Sequence, residues 1–101
     1  MVKVSGLADL MQAKGDYSEA ASLLTHVVAC RDQNQHPETS RTFTDIHNLG
    51  WLEQALEHPS EAEALFRRAF NGRERLLGPT HSRTLRSLAK LGEVLLDQER
   101  A

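Results

Sequence analysis

Apolar residues return at helical spacing along the whole chain, and no segment sustains a period of two. Val4, Leu7, Ala8, Leu10 and Met11 share one face and predict a helix over about Val2 to Lys14. Gly15 is placed to stop it, and Asp16, with Glu19 three residues on, to cap the next. That second helix runs from about Tyr17 to Gln33 on a stripe of Ala20, Leu23, Leu24, Val27, Val28 and Cys30. Asn34 to His36 reads as a short turn, and Pro37 as the first residue of a third helix reaching about Glu57. Its core side is Phe43, Ile46, Leu49, Gly50 and Leu56. His58-Pro59 ends it, because the residue before proline is pushed out of the helical region. Ser60 and Glu63 make a second capping box, opening a fourth helix to about Leu77 lined by Ala62, Leu65, Phe66, Ala69, Phe70 and Leu76. Gly72 falls inside it, at a cost of about 1 kcal/mol relative to alanine. Gly78-Pro79 marks a stop and restart. A fifth helix follows over about Thr80 to Glu99, with Leu85, Leu88, Leu91, Gly92, Val94, Leu95 and Leu96 apolar.

These elements repeat. The stretch LGWLEQALEHPSEA (49–62) matches LADLMQAKGDYSEA (7–20) at an offset of 42, since 49 − 7 = 62 − 20 = 42, and Leu91-Gly92 stands a further 42 on from Leu49-Gly50. Self-similarity at one period marks a stacked array whose units cannot bury their apolar faces alone. The expected fold is all-α: antiparallel helix-turn-helix repeats, five helices in two pairs plus an unpaired fifth. Residues 1–101 form a single domain with repeats at about 2–35 and 36–78 and a half-repeat at 79–101. Ala8, Gly50 and Gly92 are equivalent, as are Ala20 and Ala62, and these small residues let paired helices approach closely.

Composition narrows the function. Over 101 residues the net charge is −2 with histidines neutral, which lacks the basic footprint of a nucleic-acid binder. No apolar run approaches the ~18 residues of a membrane span. Cys30 is the single cysteine, so no internal disulfide forms and a reducing, cytoplasmic setting is expected. The N-terminal MVKVSGLADL lacks the apolar core of a signal peptide, and the chain stops midway through a repeat, as a piece of a longer array would.

No catalytic constellation is evident, so the chain is not expected to be an enzyme, and no cofactor or metal is implied. His26 and Cys30, four apart, could face one metal ion, but two ligands make a poor site and the packed thiol is the simpler reading. Arg67, Arg68, Arg73 and Arg75 form a basic run that reads as a solvated face with i,i+4 partners. Glu53 falls in the third helix's core stripe, where a bare carboxylate costs several kcal/mol. A partner is therefore expected, with Arg31 and Arg73 within reach. Trp51 lies about 140° from Ile46 around the same helix and so points away from its core.

Leu7, Ala8, Gly15, Tyr17 and Ala20 resemble the tetratricopeptide repeat, and the 42-residue period is similar to the longer-helix type typified by kinesin light chain. Glu57 and Pro59 stand where Gly15 and Tyr17 stand in the earlier copy, so the second turn departs from the pattern. HPET at His36 and HSRT at His81 are 45 apart rather than 42. The resemblance implies a curved array whose first helices line a concave groove. Carried onto this chain, the groove includes Ser5, Asp9 and Gln12, then Thr44, His47, Trp51 and Gln54, then Ala89, Glu93 and Asp97. It lacks the lysines and asparagines of a carboxylate clamp. The expected function is a protein-protein interaction module holding a peptide or helix in that groove. Asp9, Glu93 and Asp97 favour a ligand of some basic character, and His47 would add pH sensitivity. The alternative is a structural piece that self-associates, as a homodimer through the apolar C-terminal helix.

Overall fold

The computed structural model describes residues 14–34 and 38–100. Among them are four helices and no strand: α1 (Lys14–Asn34), α2 (Ser40–Ala55), α3 (Pro59–Leu77) and α4 (Ser82–Arg100). Four replace the expected five, because the predicted helix over Val2 to Lys14 lies outside the described residues but for Lys14, which instead begins α1.

Two predicted boundaries are corrected. Gly15 and Asp16 are not a turn and cap but lie within α1, where Asp16 in the first turn favours the positive end of the helix dipole. Ser60 and Glu63 form no capping box, because Pro59 already occupies the first turn of α3 and His58 is the N-cap, without a side-chain bond. Glu63 serves Arg67 and Gln98 instead. At α2 the start falls at Ser40 rather than at Pro37, which lies outside the described residues. Thr39 caps it and forms a reciprocal box with Thr42.

The turn between α2 and α3 explains how Glu57 replaces a glycine. Its φ is +65°, the left-handed conformation in which helices commonly end. The Glu57 N–H donates to the Gln54 carbonyl and the His58 N–H to that of Glu53, the paired bonds of a Schellman ending. Glu53 accepts at 2.6 Å from Nδ1 of His58 in this turn. A partner was expected, but not this one: Arg31 pairs with Asp45, and Arg73 is engaged elsewhere. Proximity decides the choice, since the reversal brings His58 back over the last turn of α2.

Successive helices pack antiparallel on one another. Ala21, Leu49 and Leu52 form a core between α1 and α2, Val28, Phe43, Ile46 and Ala69 join α1, α2 and α3, and Ala62, Phe66, Leu91 and Val94 join α3 and α4. Two glycines make this closeness feasible. A Cβ on Gly50 would meet the Phe66 ring at 3.0 Å, and one on Gly72 would overlap the Phe43 ring. Gly92, expected to play the same part, has nothing within 4 Å of its Cβ position, because no described helix covers that side of α4.

The packed side of α4 is also not the one its leucines indicate. Thr84 and Ser87 are fully buried in line with Leu91 and Val94, while Leu85 (48 % exposed), Leu88, Leu95 and Leu96 (56 %) face outward. On α1, Leu23 is likewise exposed.

Candidate functional site

Helices α2 and α4 lie side by side and parallel, tied at three levels. Arg83 Nη1 donates to Ser40 Oγ at 3.3 Å, His47 Nδ1 lies 3.0 Å from Ser87 Oγ, and Gln54 Nε2 donates to Glu93 Oε2 at 2.7 Å. The inner surface between them therefore descends from Ser40 and Arg83 to Gln54 and Glu93. Asp9 and Gln12, expected on the same surface, lie outside the described residues, as does Ser5.

Trp51 of α2 packs toward both α1 and the core shared by α3 and α4. Its ring meets Tyr17 of α1 edge-on, with centroids 5.7 Å apart and planes at 89°. It also packs against the cores on either side, beside Leu49 and Leu52 and beside Leu91 and Val94. Trp51 leaves α2's most buried line, as its helical phase requires, yet its ring rests on neighbouring helices and is only partly exposed. An aromatic body half engaged and half open offers apolar area at little further entropic cost.

His47 does not line an open groove. It is 8 % exposed, its ring edge-on to Phe66 at 5.1 Å. Arg73 Nη1 donates to Ser87 Oγ at 3.0 Å, which leaves the Ser87 hydroxyl to donate to Nδ1 of a neutral imidazole. Burial first, then the charges of Arg73, Arg86 and Lys90, push the His47 pKa down to about 4. The expectation of a proton switch on the groove surface near neutrality is thus corrected, since His47 stays neutral there.

Arg73 is the residue that sequence reasoning placed wrongly. Its neighbours in the basic run are paired at the surface, Arg67 with Glu63, Arg68 with Asp32 and Arg75 with Glu38. Arg73 instead is 4 % exposed, joining α3 to Thr44 Oγ1 of α2 and to Ser87 Oγ and the Arg83 carbonyl of α4. The available signal was Thr84, Ser87, Leu91 and Val94 at alternating spacings of three and four, a buried seam whose Ser87 hydroxyl receives the guanidinium.

At the lower end Glu93 is already shared by Gln54 and Lys90, and these hydrogen bonds hold its carboxyl below the usual range. Ala89 and Asp97 are exposed one turn to either side of Glu93 on α4. Charge is therefore divided along α4, with Arg83 and Arg86 toward its start and Glu93, paired with Lys90, and Asp97 toward its end.

Among the described residues no group of three His, Cys, Asp or Glu side chains is placed to hold a metal, and no helix is long and apolar enough to cross a membrane. Cys30 Sγ lies 3.6 Å from His26 Nε2 on the side of α1. A family model described as tetratricopeptide repeat matches residues 2–75 and again 46–101. Nothing among curated proteins or solved structures matches the chain.

Proposed function

Because the chain belongs to the tetratricopeptide-repeat family, a non-enzymatic scaffold fold that generally mediates protein-protein interaction, we propose that the surface between α2 and α4 holds a peptide or helix of a protein partner. The observation carrying this reading is Trp51, partly exposed between Tyr17 and the core that includes Leu91 and Val94. The proposed site adds Gln54, Glu93 and Asp97, and, by the repeat pattern alone, Asp9 and Gln12 of the first repeat, which lie outside the described residues. His47 supports the groove from beneath. The frame is the repeat division at about 2–35, 36–78 and 79–101, and the 42-residue period supports the longer-helix type typified by kinesin light chain. The lone cysteine supports a reducing, cytoplasmic setting.

Trp51 is the chain's single tryptophan, so its emission reports the groove without a label. Peptides selected from a display library should shift that emission on binding. Trp51→Phe, which keeps an aromatic body in place, should weaken their binding. Selected peptides that bind while leaving the emission unchanged would exclude this surface.

A second reading has its own observation. Leu85, Leu88, Leu95 and Leu96 are exposed on α4, beside a shallow depression of about 620 Å³ reaching Ala89 and Gly92. We propose as the alternative that this face carries self-association. Sedimentation across a concentration series separates the readings, a monomer throughout removing the second.

A further inference from the structure

The upper end of the groove holds positive charge that no carboxylate among the described residues pairs with. Arg73 is buried, yet among the described residues its guanidinium meets only two hydroxyls and a backbone carbonyl, and its Nε has no partner at all. The nearest charges, those of Arg83 and Arg86, repel it, and burial acts in the same direction. None of these three arginines has a described carboxylate within ion-pairing distance, whereas Arg31, Arg67, Arg68 and Arg75 all do. A buried cation hemmed in by like charges is costly, and an anion placed against it offsets that cost.

The arrangement discriminates between anions. Arg83 and Arg86 are exposed, one helical turn apart near the start of α4, where the helix dipole adds further positive character. Ser40 lies within hydrogen-bonding distance of Arg83 and supplies a hydroxyl. A carboxylate brings one charge and two oxygens. A phosphate monoester brings nearly two charges and three strong acceptors, enough for both guanidinium forks and the hydroxyl together. Arg73 is covered, so it acts as a positioning residue, holding Thr44 and Ser87 and adding its field from below.

We propose that the upper end of the α2–α4 groove receives a phosphate monoester carried by the peptide that occupies the groove, held by Arg83, Arg86 and Ser40. This rests on the groove reading above and specifies the partner as a phosphorylated segment. Its apolar part would lie toward Trp51 and its phosphate toward the start of α4.

The experiment is a synthetic peptide array in three matched sets, with phosphoserine, serine or glutamate at the central position of otherwise random sequences. The 101-residue chain should be retained about tenfold more strongly by the phosphoserine set than by the other two. Inorganic phosphate should compete, and chloride at equal ionic strength should not. The double variant Arg83→Gln/Arg86→Gln, both positions exposed, should melt as the wild type does and lose the preference. Equal retention on all sets, a glutamate set equal to the phosphoserine set, or a preference surviving in the double variant overturns the proposal. Trp51→Phe keeps the two failures apart. If it weakens retention on every set while phosphorylation makes no difference, the groove stands and the phosphate site falls. If the phosphate preference persists with Trp51→Phe binding unchanged, the phosphate is not presented through the groove and the proposal falls with that reading.

Discussion

Gly72 lies directly beneath the ring of Phe43, so close that a Cβ there would overlap the ring. Phe43 is 1 % exposed and belongs to the core shared by α1, α2 and α3, so the ring has nowhere to go. Helix propensity alone says that Gly72→Ala should gain about 1 kcal/mol. Packing says the reverse, since overfilling a tight core costs about 1–3 kcal/mol. Gly72→Ala should therefore lower stability by up to about 2 kcal/mol net in urea unfolding. Gly92→Ala, with open space around its Cβ position, should raise it by up to about 1 kcal/mol. A stabilised Gly72→Ala would mean the α2–α3 spacing is not as tight as described.

His47 and His58 should shape stability against pH in opposite directions. The unfolded chain protonates His47 near its ordinary value of 6.5, whereas the folded chain does so only near 4. The unfolded state thus binds the proton more readily, and stability falls as pH drops through that window and levels off below it. Between wild type and His47→Gln the difference in slope should amount to about 3 kcal/mol across the window, read from urea midpoints. The pKa of His58 is raised, first by its hydrogen bond to Glu53. Its contribution is present in full below the unfolded value and lost as pH rises through the folded one. Proton-detected titration of the two imidazoles checks both directions, and a His47 midpoint near 6.5 would contradict its burial.

Glu57→Gly should stabilise the chain by about 1 kcal/mol, because a residue with a Cβ pays that much or more in the left-handed conformation at φ +65°. The greater freedom of glycine in the unfolded chain subtracts a few tenths. Thermal melts of Glu57→Gly and Glu57→Ala side by side isolate the backbone effect. The alanine variant should gain nothing.

Much of the fold was legible because repeated apolar spacing and glycine-proline punctuation carry it. Phe43, Ile46, Leu49, Ala62, Phe66 and Ala69 fall in the core as their periodicity requires. Gly78, with φ +96°, ends α3 as expected. The finer site was less legible for a physical reason. Hydropathy favours leucine over threonine and serine, so on α4 it selects Leu85, Leu88, Leu95 and Leu96 and passes over Thr84 and Ser87, both fully buried, of which Ser87 accepts from Arg73. A run of four arginines gives no sign of which one turns inward. Trp51 was legible in direction but not in its contact with Tyr17, which depends on how α1 lies across α2.

The two faces of α4 give the last prediction. Leu91 is 6 % exposed and Val94 1 %, both in the core shared with Ala62 and Phe66. Leu88 and Leu96 are 45 % and 56 % exposed. Leu91→Ala should cost about 3 kcal/mol, the ordinary loss for a buried leucine. Leu96→Ala should stay within about 0.5 kcal/mol, as surface changes do. The pair Leu88→Lys/Leu96→Lys should leave unfolding nearly unchanged and abolish whatever concentration-dependent association the wild type shows in sedimentation. If that charged variant associates as the wild type does, self-association runs through another surface. If Leu96→Ala destabilises as much as Leu91→Ala, the outward side of α4 is covered in solution and the orientation of the helix must be redrawn.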